Sequence, residues 1–239
     1  MSSLPSSATI RFHHPSTMII SGPTGCGKTQ FVCRLLENNM LIDENGKAPN
    51  RIVWLYGAWQ PLFEQLEAKY GDLIEFREGF DKEVIGSFDA SVRNLVIIDD
   101  LMQQAKNDGI IANLFTKGSH HSNLTVMYLM QNLFEQGKYS VKVSRNSHYI
   151  VLFKNPRNSQ EVRTLGQQMV PGRVASLVSI FESATENEFS YLVIDLRPQT
   201  PTEFRYRTQI FPGEITRLFE IVGVGRKGKA TGKSTYERD

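Results

Sequence analysis

The chain has 239 residues, of which 40% are hydrophobic, and a formal net charge of +2. That length allows one domain with a full hydrophobic core, and the near-neutral charge excludes a surface that is basic throughout, so any nucleic-acid contact must be local. No apolar run reaches the length of a membrane span, the first residues lack the apolar core of a signal peptide, and the two cysteines, Cys26 and Cys33, suit a reducing compartment. We therefore expect a soluble, intracellular protein without a membrane partner.

The first predicted element is the apolar strand Met18–Ser21, which leads directly into the sequence GPTGCGKT. This is the P-loop pattern GxxxxGKT, in which the backbone N–H groups of a glycine-rich turn surround a phosphate at the N-terminus of the following helix. We expect Lys28 to reach the β- and γ-phosphates of a nucleotide and Thr29 to give its hydroxyl to Mg²⁺. The helix that opens here is predicted to run to about Asn39. The residues expected to bind the nucleotide are Gly22, Pro23, Thr24, Gly25, Cys26, Gly27, Lys28 and Thr29.

Apolar runs then alternate with helical patterns along the rest of the chain. Strands are predicted at Arg51–Tyr56, Leu73–Phe76, Leu95–Ile98, Thr125–Met130, Tyr149–Phe153, Tyr191–Ile194 and Phe204–Ile210. Helices are predicted at Pro61–Tyr70, Ala105–Lys117, Ser159–Met169 and Val174–Thr185. This alternation predicts an α/β fold with a mostly parallel sheet and helices on both faces. We expect one P-loop domain over residues 13–222, an N-terminal extension over residues 1–12 and a basic, flexible tail over residues 223–239.

A second nucleotide signature is the sequence LVIIDD, an apolar strand that ends in Asp99 and Asp100. It matches a Walker B element, in which the first acid holds Mg²⁺, directly or through water, and the second polarises the attacking water. Acids at a strand end also serve as helix caps. Because a P-loop lies upstream, we favour the metal role for Asp99 and the catalytic role for Asp100.

The apolar run TVMYLM ends in two amides, Gln131 and Asn132. An amide at this point can sense the γ-phosphate if its strand lies between the strands that carry the two nucleotide motifs. Such a sensor suits a molecular motor. A turn of the chain after a buried strand explains Gln131 equally well from sequence alone.

Other classes of P-loop protein remain open from the residues alone. A nucleoside or nucleotide kinase also combines a P-loop with a parallel sheet, but the chain has no arginine-rich lid segment. A nucleotide-binding scaffold without catalysis and another DNA-dependent ATPase, such as a helicase or replication initiator, are further alternatives. A GTPase is disfavoured because no NKxD-type segment follows the later strands. The adjacent His120 and His121 lack cysteine or acidic partners at metal-ligand spacing, so we interpret them as surface residues.

The order GPTGCGKT, LVIIDD, KGSHHSNLTVMYLMQNLFEQGK and SHYIVLFKNPR resembles the genome-packaging ATPases of the FtsK/HerA superfamily. The resemblance is to the poxvirus-like and Maverick/Polinton members especially, and it extends over about residues 13–212. It implies a RecA-like core, a homo-oligomeric ring, and ATP-driven movement of double-stranded DNA into a capsid. Capsid or portal proteins would then be partners, and the site of action would be the host nucleus or cytoplasm, or the virion.

The resemblance also implies roles for individual residues. Lys28 and Thr29 take the phosphate and Mg²⁺ roles, Asp99 the metal role, Asp100 that of the catalytic carboxylate, and Gln131 that of the sensor. Asp100 departs from the pattern, since many relatives have glutamate there, and its shorter side chain puts the water-orienting role in question.

A ring ATPase also needs an arginine from the neighbouring subunit to offset charge on the γ-phosphate. The candidates are Arg145, Arg157, Arg163 and Arg173. We prefer Arg157, in the KNPR turn after the strand YIVLF, and place Arg145 second. For each of them singly, a surface ion pair or a DNA phosphate contact is an alternative.

For DNA, a translocating motor needs only lysines and arginines on loops that face the phosphate backbone. The segment from Gln136 to Arg145 carries Lys138, Lys142 and Arg145 among small and apolar residues. We interpret it as a pore-facing loop, with an ordinary solvated hairpin as the alternative.

Overall fold

The computed structural model describes residues 11–101, 109–118, 122–134, 140–156 and 160–221. Its strands are β1 (Phe12–His13), β2 (Thr17–Ser21), β3 (Leu41–Ile42), β4 (Arg51–Tyr56), β5 (Ile74–Glu78), β6 (Asn94–Asp99), β7 (Leu124–Met130), β8 (Tyr149–Phe153), β9 (Tyr191–Asp195), β10 (Tyr206–Thr208) and β11 (Arg217–Phe219). Its α-helices are α1 (Lys28–Glu37), α2 (Pro61–Tyr70), α3 (Lys82–Gly86), α4 (Ile110–Asn113), α5 (Ser140–Arg145), α6 (Gln160–Met169) and α7 (Val174–Ala184).

A nine-stranded sheet organises the described part of the chain, in the order β11-β10-β9-β8-β2-β7-β6-β4-β5. The pairs from β8 through β5 are parallel, as predicted, but β9, β10 and β11 extend the sheet in antiparallel fashion. The change of direction follows from the connection between β8 and β9. Two helices, α6 and α7, lie there in place of one, so the chain returns to the edge from which it left.

Both faces of the sheet are covered, because successive strand residues point to opposite sides and both sets are apolar. One set packs with residues of α4, α5, α6 and α7, while the other packs with residues of α1 and α2. Residues Ile19 and Val96 belong to the first core, and Met18 and Ile97 belong to the second. The predicted α/β fold with helices on both faces is confirmed.

Several predicted boundaries differ from those observed. The predicted strand Leu73–Phe76 begins later, at Ile74, because a 3-10 turn occupies Gly71–Leu73. Within the predicted helix Ala105–Lys117, the described residues form α4, which continues as a π-helical turn over Leu114–Gly118. The small parallel pair β1–β3 has no counterpart among the predicted strands, and it places Phe12, which we assigned to the extension, in the buried core.

The sheet order determines which side chains meet at one edge. Strand β7 lies between β2 and β6, which is the condition that a sensing role for Gln131 requires. In register, Ser21 is paired with Met130, and Asp99 with Leu129. The segments that follow β2, β6 and β7 therefore leave the sheet at the same carboxyl edge.

Candidate nucleotide-binding site

The P-loop joins β2 to α1 at this edge, and steric limits explain its glycines. A Cβ atom on Gly22 would lie 2.6 Å from Phe153 Cβ and 2.7 Å from Cys26 Sγ, so no larger residue fits. Gly27 has a φ of 101°, in the left-handed region that favours glycine, and its carbonyl accepts the Phe31 N–H at 2.8 Å as α1 begins. The loop therefore packs closely against β8 and directs the helix N-terminus to the edge of the sheet.

The Lys28 ammonium lies within the loop. It donates hydrogen bonds to the carbonyl oxygens of Gly22, at 2.6 Å, and Pro23, at 3.0 Å. These contacts keep the only lysine of the P-loop beside the backbone that would surround a phosphate. The phosphate role of Lys28 stays a prediction.

The two residues predicted to hold Mg²⁺ lie in contact. The Thr29 hydroxyl, at the start of α1, donates to Asp99 Oδ2, at the end of β6, over 3.3 Å. Burial raises the pKa of Asp99 to about 6, while the Thr29 hydrogen bond and the Lys28 charge oppose that rise. A hydroxyl and a buried carboxylate in contact are hard oxygen donors of the kind that Mg²⁺ prefers, so the residues present fit this ion.

The second acid, Asp100, is exposed and has a φ of 56°, a left-handed conformation that aspartate tolerates better than most residues. Its Oδ1 accepts a hydrogen bond from Gln131 Nε2 at 3.2 Å. A Cβ atom on Gly57, after β4, would lie 3.0 Å from the Asp100 carbonyl oxygen, so the neighbouring strand limits the room for this turn. A hydrogen bond thus links the predicted catalytic acid to the predicted sensor.

Sequence reasoning missed a buried acid close to this site. Glu161, in the first turn of α6, is 5% exposed, and its carboxylate accepts hydrogen bonds from the backbone N–H groups of Leu133 and Phe134. The Ser21 hydroxyl, immediately before the P-loop, donates to it at 3.4 Å. Burial raises the pKa of Glu161, and the Leu133 N–H opposes that rise. Glu161 therefore connects the end of the P-loop strand to the turn that follows Gln131.

We expect Glu161→Ala to lower the free energy of unfolding by about 1–3 kcal/mol, because it leaves the N–H groups of Leu133, which is buried, and of Phe134 without their acceptor. Glu161→Gln should cost less, since its side-chain oxygen can still accept one of these bonds. Urea denaturation measures both. Glu67→Ala, at an exposed position of α2, is the control and should change stability by less than about 0.5 kcal/mol. Equal stability of Glu161→Ala and the parent protein would contradict this role.

The structure corrects our interpretation of the segment from Gln136 to Arg145. Its described residues, 140–145, form helix α5 and are not a loop. Val143 and Ser144 are buried, whereas Lys142 and Arg145 are exposed one turn apart. Apolar and polar residues alternate in this short segment, as they do in the strands of a hairpin. In the structure the segment is a helix, and only one face of that helix is buried. Lys138 lies outside the described residues.

Three of the four arginine candidates, Arg145, Arg163 and Arg173, lie in the described part of the chain. Arg145 precedes Asn146, whose carbonyl oxygen accepts the hydroxyl of Thr17 at 2.7 Å, so Arg145 lies at the amino edge of the sheet, opposite the P-loop. Arg163 is exposed on α6, and Arg173 donates to the carbonyl oxygen of Ile221 at 3.3 Å. Arg157, the preferred candidate, lies outside the described residues, as do His120, His121 and the tail from residue 223.

Both cysteines are free thiols. In the part of the chain that the structure covers, no helix is both long enough and apolar enough to span a bilayer.

No protein-family model and no curated protein matches this sequence. Among solved structures, the genome-packaging NTPase B204 from Sulfolobus turreted icosahedral virus 2, in complex with ATP-γS, aligns with a TM-score of 0.53 at 12% identity, over 78% of this chain and 95% of that chain. The KaiC-like protein PH0186 from Pyrococcus horikoshii OT3 gives a TM-score of 0.45 at 12% identity, over 87% and 91% of the two chains. The flagellar accessory protein FlaH from Methanocaldococcus jannaschii gives 0.41 at 13% identity, over 59% and 71%.

The match to B204 covers nearly all of that protein. It confirms, at the level of the fold, the resemblance to packaging ATPases. The chain therefore has the RecA-like P-loop ATPase fold of the viral genome-packaging NTPase B204.

Proposed function

We propose that this protein hydrolyses ATP and uses the energy to move double-stranded DNA, as a homo-oligomeric ring that packages the genome of a virus or virus-like element. The contact between Gln131 and Asp100 carries the proposal. This hydrogen bond links Asp100, the acid that would orient water, to Gln131 at the end of β7, the strand between β2 and β6. Loss of the γ-phosphate could therefore change the conformation of the turn after β7. A motor needs such a link, whereas a passive scaffold does not. Capsid or portal proteins would be its partners.

In this proposal the side chains divide the reaction between them. Lys28 and the P-loop N–H groups would hold the β- and γ-phosphates, and Thr29 and Asp99 would hold Mg²⁺, which would supply positive charge to neutralise the phosphates. Asp100 would orient the attacking water toward the γ-phosphorus and accept its proton, as the water oxygen bonds to phosphorus and the bond to the ADP oxygen breaks. Gln131 would hold the Asp100 carboxylate through its amide.

The test is the release of inorganic phosphate from ATP, measured with and without double-stranded DNA. We expect hydrolysis that DNA accelerates, together with ring particles in electron micrographs in the presence of an ATP analogue. A nucleoside or nucleotide kinase would transfer the γ-phosphate to an added acceptor and would release little inorganic phosphate. Transfer to such an acceptor, or a monomer unaffected by DNA, would contradict the proposal.

Lys28→Ala should weaken ATP binding by about tenfold or more, because one charge-assisted contact to the phosphates is worth about 1.5–3 kcal/mol. Equilibrium binding of a fluorescent ATP analogue measures the effect. Lys47→Ala removes the same charge from an exposed loop position and should bind ATP like the parent protein. Unchanged affinity of Lys28→Ala would show that nucleotide binds elsewhere.

We expect Lys138, Lys142 and Arg145 to contact DNA phosphates. Replacing all three with alanine should weaken binding to every double-stranded sequence about equally, and the slope of log affinity against log salt should flatten by about one unit per lost contact. ATP hydrolysis without DNA should persist, because Arg145, at the end of α5, lies at the edge of the sheet opposite the P-loop. Replacing Lys47, Lys69 and Lys82 with alanine removes the same charge elsewhere and is the control. An unchanged salt slope in the first variant would contradict the assignment.

A further inference from the structure

An aromatic side chain with no role in the chemistry above lies beside the P-loop. Phe189 precedes β9, and because β9 is antiparallel to β8, this residue lies at the carboxyl edge of β8 and β2. Its side chain is 66% exposed, and its φ is 58°. A bulky residue in the left-handed region is a conformational outlier, and an exposed phenyl ring gains little from burial to offset it. Neither the packing of the core nor the backbone explains phenylalanine here.

The ring is close to the loop that would bind phosphate. A Cβ atom on Gly27 would lie 3.5 Å from Phe189 Cδ1 and 3.6 Å from Phe153 Cε1. The turn that carries Phe189 is also held in place: Lys154 Nζ donates to the Glu186 carbonyl oxygen at 3.3 Å, and the Ser190 hydroxyl donates within the turn. The phenyl ring therefore has a defined place at the start of α1.

The orientation of a bound nucleotide can be inferred from the residues on either side of the P-loop. The groups assigned to the γ-phosphate, Asp99, Asp100 and Gln131, come from β6 and β7, on one side of β2. Phe189 comes from the opposite side, beyond β8. A triphosphate that extends along the loop with its γ end toward β6 directs its base to the β8–β9 side, where the exposed ring lies.

We propose that Phe189 forms the stacking surface for the nucleobase of the bound nucleotide. This inference rests on the nucleotide binding proposed above and specifies how the base is held. Stacking uses the face of the base and not its hydrogen-bonding edge, so Phe189 favours bases with large rings and does not by itself distinguish adenine from guanine. In this proposal, the left-handed conformation of Phe189 turns its ring toward the nucleobase, and stacking offsets the cost of the backbone strain.

The experiment compares ATP with inorganic tripolyphosphate, which has the phosphates but no base. Binding of each is measured by calorimetry for the parent protein, Phe189→Asn and Phe189→Tyr. Asparagine tolerates the left-handed conformation, so Phe189→Asn removes the ring without straining the turn. We expect Phe189→Asn to bind ATP about tenfold more weakly, to bind tripolyphosphate unchanged, and to melt no lower than the parent protein. Phe189→Tyr should retain ATP affinity, and Ile215→Asn, at another exposed apolar position, is the control.

The possible results separate this inference from the proposed function. If the parent protein binds neither ligand, nucleotide binding itself is wrong, and the inference is overturned with it. If the parent protein binds both and Phe189→Asn retains full ATP affinity, only the stacking role is wrong, and a loss of self-association in that variant would identify Phe189 as a subunit contact. Equal weakening of ATP and tripolyphosphate would mean that Phe189 supports the shape of the P-loop at Gly27, which also overturns stacking.

Discussion

Asp100→Asn is expected to lower the rate of ATP hydrolysis about 10²–10⁴-fold and to leave ATP affinity nearly unchanged. Asparagine tolerates the left-handed backbone of Asp100, and its Oδ1 can still accept the Gln131 amide, so the local fold should persist. What it loses is the negative charge that would orient and deprotonate water. Steady-state release of phosphate, together with equilibrium binding of ATP, measures the two effects separately.

Three further variants sharpen this test. Asp72→Asn makes the same chemical change at an exposed position away from the P-loop and should hydrolyse ATP at the parental rate. Gln131→Ala should slow hydrolysis less than Asp100→Asn, and the double variant should be no slower than Asp100→Asn alone, because both side chains act through one contact. Parental hydrolysis by Asp100→Asn would rule out its catalytic role. Additive effects of the two substitutions would rule out their coupling.

The features predicted most accurately are those that local sequence determines. The run LVIIDD predicts a buried strand because its apolar residues are consecutive, and it predicts an acidic strand end because Asp99 and Asp100 follow at once. GPTGCGKT similarly determines a turn, since Gly22 must avoid Cys26 and Gly27 must adopt a positive φ. In these segments, the residues that set the conformation lie within a few positions of one another.

The features that sequence did not predict depend on contacts between distant parts of the chain. In the sequence, Glu161 is an ordinary acid in the first turn of a helix, where the helix dipole stabilises an exposed carboxylate. It is buried because Ser21 and the backbone after β7 supply donors, and neither lies near it in sequence. The sequence likewise gives no sign that Phe189 lies beside Gly27, which follows from the antiparallel path of β9.

The residues that flank Arg157 in sequence lie at the same edge of the sheet as the P-loop. Phe153, at the end of β8, and Glu161, at the start of α6, both lie at the P-loop edge, and Arg157 is between them in sequence. Described residues on either side of Arg157 thus belong to the nucleotide edge, whereas Arg145 lies at the opposite one. We therefore retain Arg157 as the first candidate. An experiment with mixed subunits separates action of Arg157 within the same subunit from action across a subunit boundary.

Arg157→Ala should retain ATP binding and ring assembly but lower hydrolysis about 10³–10⁵-fold, as removal of an arginine finger does in other nucleotide hydrolases. Mixing it with Asp100→Asn subunits should restore activity, because some interfaces then pair an intact Asp100 with an intact Arg157 from the neighbour. The control mixes Asp100→Asn with the double variant Asp100→Asn/Arg157→Ala, in which every interface lacks Asp100 and no activity should return. If mixed rings form and phosphate release stays at the level of the single variants, Arg157 does not act across the subunit boundary.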